Sequence, residues 1–147
     1  MIRVHERFGG SVVAVERVPR EAVDRYGIVA AEPLGERISR VHDMVEKPSP
    51  AEAPSDLAIV GRYLLSPRLF DILARTPPGR GHEIQLTDGI RTLLRQEPVY
   101  ALEFEGVRHD TGNKLGFLKA TVSYALRHAE VGPAFREYLC SLEPCHE

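Results

Sequence analysis

The chain has 147 residues, a length suited to one domain or to part of a larger one. A formal net charge of −2 and a pI near 6.3 argue against a general nucleic-acid binder, which carries a basic excess. With 43% apolar and 27% charged residues the composition is globular rather than disordered, and no run approaches the roughly 18 apolar residues of a membrane span.

Residues 2–8 read as the last turns of a helix ended by Gly9-Gly10, with no cap residue before them. They lack the apolar run of a signal peptide, so a cytoplasmic location is expected. Residues 11–18 (SVVAVERV) are β-branched and nearly continuous in apolar character, as in a strand buried on both faces. Pro19 opens a short helix over 19–25. Two strands follow, over 26–31 and 37–46, and then a proline-broken loop over 47–56. Residues 57–65 read as a strand with Gly61 inside it, and 67–75 as a helix capped by Ser66. The loop at 77–81 precedes a helix over 83–96, whose apolar positions Ile84, Leu86, Ile90, Leu93 and Leu94 have helical spacing. Residues 99–104 read as a strand and 107–110 as another short one. An amphipathic helix over 113–128 and a terminal helix over 133–142 complete the series. Strands alternating with helices predict an α/β layer architecture.

Four places could carry chemistry. In Val45-Glu46-Lys47-Pro48 a carboxylate and an ammonium are adjacent at a strand end, before a proline that favours extended backbone. An acid suits sugar hydroxyls and a lysine suits a phosphate, although a solvated charge pair has the same sequence. In His109-Asp110-Thr111-Gly112-Asn113, Asp110 could hold Mg²⁺ or simply shape a turn, with Asn113 capping the next helix. Glu83, Thr87 and Asp88 could share a helix face, or be dipole-favoured residues of a first turn. Gly27 and Gly61 lie in strand patterns, where glycine marks a bulge or a close approach. Cys140, Cys145 and His146 match no zinc spacing and cannot staple a core. There is no HExxH, no nucleophile elbow and no GxxxxGK[ST] loop.

Taken together and in order, Tyr26-Gly27-Ile28-Val29, Val45-Glu46-Lys47-Pro48, Val60-Gly61-Arg62-Tyr63, Glu83-Ile84-Gln85-Leu86-Thr87-Asp88, Asp110-Thr111-Gly112 and Lys114-Leu115-Gly116 closely resemble the bacterial UTP–glucose-1-phosphate uridylyltransferases, a branch of the sugar-phosphate nucleotidyltransferases. The resemblance runs from about residue 2 to residue 142. It implies a Rossmann-like α/β fold on a mixed, mainly parallel sheet, with C-terminal helices. It also implies Mg²⁺-dependent transfer of a uridylyl group from UTP to glucose 1-phosphate, giving UDP-glucose and pyrophosphate. By that resemblance Glu46 binds sugar hydroxyls, Lys47 binds the sugar phosphate, and Asp110 is one of two aspartates on the metal. Lys47 and Asp110 are then the catalytic pair. Gly27 and Gly61 line the sugar pocket, and Glu83, Gln85 and Asp88 help shape it. His109, Thr111 and Asn113 depart from the Tyr, Cys and Asp that the family often has there.

The family's glycine-rich Gly-x-Gly-Thr-Arg loop, its base-reading residues and its first metal aspartate have no counterpart in this sequence. Residues 1–147 are therefore expected to be the C-terminal, sugar-phosphate-binding half of such an enzyme, inactive without the N-terminal half or a full-length homologue. A non-catalytic sugar-nucleotide-binding or oligomerisation module, self-associating through the C-terminal helices, and a gene remnant are the alternatives. Without central strands, the edge of residues 11–18 is expected to lie open to another chain.

Overall fold

The computed structural model describes residues 1–142, with the backbone alone at Arg80; Cys145 and His146 lie outside the described residues. Two compact units divide the chain, Met1–Glu105 and the part from Gly106 onward.

In the first unit, helix α1 (Ile2–Phe8) ends at Gly9, whose φ of 71° suits a residue without a side chain. Strand β1 (Ser11–Arg17) follows, buried throughout its first five residues as its apolar run predicts. A single 3₁₀ stretch (Arg20–Arg25) then leads to the hairpin of β2 (Gly27–Gly35) and β3 (Ile38–Glu46). After the proline loop come β4 (Leu57–Leu64), helices α2 (Arg68–Leu73) and α3 (Leu86–Leu93), and β5 (Val99–Glu103).

The α/β class expected from the sequence is the class observed, but the pairing is not mainly parallel. Among the described residues only β1 and β5 run parallel; β1–β4, β2–β3, β2–β4 and β3–β5 are antiparallel. The tight β2–β3 hairpin accounts for one of these pairs, since a short turn can join only antiparallel strands. Nor is β1 an open edge: β4 covers one side of it and β5 the other. Residues 107–110 form no strand. Val107 is 69% exposed, and the hydrogen bonds of Asp110 close a turn instead.

The main core lies between the sheet and helices α2 and α3, and includes Val13, Val15, Val29, Met44, Ile90 and Leu93. Helix α3 is shorter than its apolar spacing suggests. Gly81 and His82 have φ of 75° and 60°, Glu83 and Gln85 are extended, and Ile84 is 54% exposed. The helix therefore starts at Leu86, and Glu83 does not share a face with Thr87 and Asp88.

The second unit contains α4 (Lys114–Arg127) and α5 (Gly132–Ser141). Asn113 caps α4 as its sequence position predicts, its side-chain oxygen accepting from the Gly116 N–H at 2.8 Å. Among the described residues no helix is long and apolar enough to cross a membrane.

Candidate functional site

Glu46 is the last residue of β3 and stands opposite Gly27, the first of β2. The pairing runs one residue further, because the Lys47 N–H donates to the Tyr26 carbonyl at 2.9 Å. At Lys47 the chain then leaves the strand with φ at 48°, in the left-handed region. The extended backbone expected before Pro48 is not adopted. Neighbouring residues in a strand point to opposite faces. The left-handed step cancels that alternation, so Glu46 and Lys47 line the same cleft, of about 260 Å³, together with Gly81, Glu83 and Gln85. That is just below the usual range of ligand pockets, about 300–1,000 Å³.

Within this centre the Glu46 side chain is 17% exposed and the Lys47 side chain 47%, with Lys47 Nζ 3.9 Å from Glu46 Oε1. The other carboxylate oxygen, Oε2, accepts a 2.6 Å hydrogen bond from the Thr87 hydroxyl. Helix α3 is held to β3 a second time one turn later, where Arg91 donates through Nε and a terminal nitrogen to the Asp43 carboxylate at 2.5 and 2.8 Å. Burial raises the Tyr63 phenol above its ordinary pKa, and the Glu46 charge adds to this. Tyr63 is therefore a neutral hydroxyl at physiological pH.

The two strand glycines have different reasons. A methyl on Gly27 would sit 2.9 Å from Thr87 Oγ1 and 3.2 Å from Glu46 Oε2, so this position is a close approach. A methyl on Gly61 would meet nothing within 4 Å, but its φ is 73°. It occupies a bulge in β4: Val13 pairs with Tyr63 and Val15 with Ile59, leaving more residues on the β4 side.

Glu83, Gln85, Gly27, Glu46 and Lys47 thus meet around one cleft or its wall. Asp88 does not join them; it lines a separate groove of about 610 Å³ with Arg68, Asp71, Arg75 and Gly79. Tyr63 lies in a quoted motif without a role given to it, and Thr87, read as sharing a helix face with Glu83 and Asp88, turns instead to Glu46. A hydroxyl in a first helical turn, three residues ahead of the core residue Ile90, was the available signal for Thr87.

Asp110 belongs to the second unit and is exposed. Its Oδ1 accepts from the Gly112 N–H at 2.9 Å and its Oδ2 from the Asn113 side-chain amide at 3.2 Å. Gly116 is dictated by the same turn, because a methyl there would lie 1.7 Å from the Asp110 carbonyl oxygen. The turn therefore gives Asp110 a local duty, and still leaves hard oxygen lone pairs facing outward. One such carboxylate fits Mg²⁺ held jointly with substrate phosphates and water. Among the described residues no group of three His, Cys, Asp or Glu side chains could hold a metal by itself.

Known proteins resemble this chain over most of its length. The Nucleotidyl transferase family matches residues 1–126. A UTP–glucose-1-phosphate uridylyltransferase of Streptococcus pneumoniae serotype 4 is 48% identical over 139 residues, 94% of this chain and 46% of that protein. A UDP-glucose pyrophosphorylase structure from Acinetobacter baumannii superposes with a TM-score of 0.85 at 38% identity, over 97% of this chain and 49% of its own. A UDP-glucose pyrophosphorylase solved in complex with UDP-glucose gives a TM-score of 0.80 at 40% identity, over 86% and 48%. The chain spans about half the length of the curated relatives it matches. With residues 1–126 matching the family and Glu46, Lys47 and Gly27 gathered at one strand end, this chain belongs to the nucleotidyl transferase family.

Proposed function

We propose that the chain forms the sugar-phosphate side of a UTP–glucose-1-phosphate uridylyltransferase centre. The observation that carries the reading is the left-handed turn at Lys47, which sets an acid and an ammonium side by side on one cleft. Glu46 accepts hydrogen bonds from hexose hydroxyls. Lys47 offers a point charge to the phosphate of glucose 1-phosphate. Gly27 keeps the strand end low enough for Glu46 and Thr87 to meet. Support comes from the uridylyltransferase relatives and from a structural neighbour that holds UDP-glucose.

In the reaction a phosphate oxygen of glucose 1-phosphate attacks the α-phosphorus of UTP in line. The bond from that phosphorus to the β-bridging oxygen breaks and pyrophosphate leaves. The residues act by positioning and charge neutralisation, and no protein nucleophile is required. Asp110 is the residue that would hold Mg²⁺, which when bound neutralises phosphate charge.

A thermal melt of the chain with increasing UDP-glucose tests the reading. A ligand that binds only the folded form raises the midpoint, by the equivalent of about 2.7 kcal/mol at a hundredfold excess over Kd. The midpoint is expected to rise for the natural sequence and to stay fixed for Lys47→Ala. A natural chain that melts unchanged in millimolar UDP-glucose overturns the proposal.

A further inference from the structure

We propose that Thr87 is a positioning residue for Glu46. Its hydroxyl anchors one oxygen of the carboxylate, so that the other is held in place to read a ligand hydroxyl. This inference rests on the reading above and adds to it the residue that sets the geometry of sugar recognition.

Thr87 behaves unlike the other helical threonines of this chain. The hydroxyls of Thr92 and Thr121 donate to carbonyls one turn back, at Asp88 and Phe117, the usual local bond of a threonine in a helix. For Thr87 the residue one turn back is Glu83, which is extended and outside the helix. The hydroxyl has no helical carbonyl to use. It reaches instead to Glu46, 41 residues away in sequence, at 2.6 Å. Thr87 is only 6% exposed, so a hydroxyl there needs a partner inside the protein.

The consequence for Glu46 follows from donor and acceptor rules. An ionised carboxylate only accepts. With one acceptor site of Oε2 held by Thr87, the oxygen that no hydroxyl of α3 holds is Oε1, the one that lies 3.9 Å from Lys47 Nζ. A ligand at this place must donate to Oε1 and carry negative charge toward Lys47, which sorts a sugar hydroxyl from a phosphate oxygen within one molecule. Gly27 guards the same contact, since a methyl there would press on both Thr87 Oγ1 and Glu46 Oε2. The Arg91 to Asp43 pair fixes α3 against β3, so the contact does not rest on Thr87 alone.

Isothermal titration of the full chain with UDP-glucose tests this. Thr87→Val keeps the shape and removes the hydroxyl. It is expected to bind UDP-glucose roughly tenfold to a hundredfold more weakly, the effect of losing a hydrogen bond to a charged group. Thr87→Ser restores the hydroxyl and is expected to bind within about threefold of the natural chain, a rescue that a space-filling role would not produce. Gly27→Ala, which leaves Thr87 in place, is expected to weaken binding by a similar factor and covers the case in which Thr87→Val fails to fold. Natural affinity in Thr87→Val or in Gly27→Ala overturns the inference, as does a Thr87→Ser chain as weak as Thr87→Val. A natural chain that does not bind UDP-glucose overturns the function proposed above and this inference with it. A natural chain that binds, beside a Thr87→Val chain that binds equally well, overturns this inference alone.

Discussion

Glu46 and Asp110, the two carboxylates of interest, are held in opposite ways. Glu46 is fixed by groups far away in sequence: Thr87 from α3, Gly27 across the strand pair, and the β3–α3 clamp of Asp43 and Arg91. Asp110 is fixed by its own neighbours, Gly112, Asn113 and Gly116, all in the same turn and helix start. The Glu46 geometry therefore depends on the packing of the whole first unit. The Asp110 geometry depends on a few backbone angles. Damage to the core should reach the first carboxylate and spare the second, and damage to the turn should do the reverse.

The largest expected effect is in the core below α3. Ile90 is fully buried there, one turn from Thr87. Ile90→Ala is expected to cost about 2–5 kcal/mol, the range for removing a buried branched side chain. Urea unfolding measures it. The same substitution should abolish the UDP-glucose response, because it loosens the helix that carries Thr87. Hydrogen exchange at Gly112 and Gly116 should be unchanged by it. Faster exchange at those two amides would show that the turn is not self-contained.

The opposite lesion is Gly116→Ala. Its methyl has no room beside the Asp110 carbonyl, so the backbone must move. A cost of roughly 1–3 kcal/mol is expected, typical of overpacking. It should appear as lost exchange protection at the start of α4, while β3 and α3 keep theirs. Equal loss at Val45 and Ile90 would erase the contrast between the two regions.

The same contrast explains what could be read in the sequence. The cap at Asn113 was legible because a cap is a matter of a few adjacent residues. So was β1, whose run of Val12, Val13, Ala14 and Val15 admits little except a strand covered on both sides. The motif around Glu46 and Lys47 was legible as a family resemblance, but its geometry was not. No local rule pairs Thr87 with a carboxylate 41 residues earlier, and Pro48 argued for extended backbone at Lys47 where the chain turns left-handed. The antiparallel bias of the sheet was missed for a related reason. The reading took residues 26–31 and 37–46 as separate strands, although the short stretch between them makes a hairpin. Ile84 misled in the other direction, since an exposed isoleucine in register with a helix looks like part of its apolar face.

The smallest expected effect has the opposite sign. Lys47 holds a φ of 48°, which costs a residue with a side chain about 1–2 kcal/mol and costs glycine almost nothing. Its contact with Glu46 at 3.9 Å is half-exposed and contributes little to stability. Lys47→Gly is therefore expected to make the chain more stable, by about 0.5–1 kcal/mol once the added freedom of the unfolded glycine is subtracted. It should also remove the UDP-glucose response, because the ammonium is gone. A structural role for Lys47 predicts the reverse, a chain that melts lower. A gain in midpoint joined to a loss of ligand response would identify the backbone strain at Lys47 as a cost of placing its charge beside Glu46. Asp110 has no such cost in the structure, since no positive φ is found among residues 107–113. The first region holds strain against function, and the second is a relaxed turn whose carboxylate is available as folded.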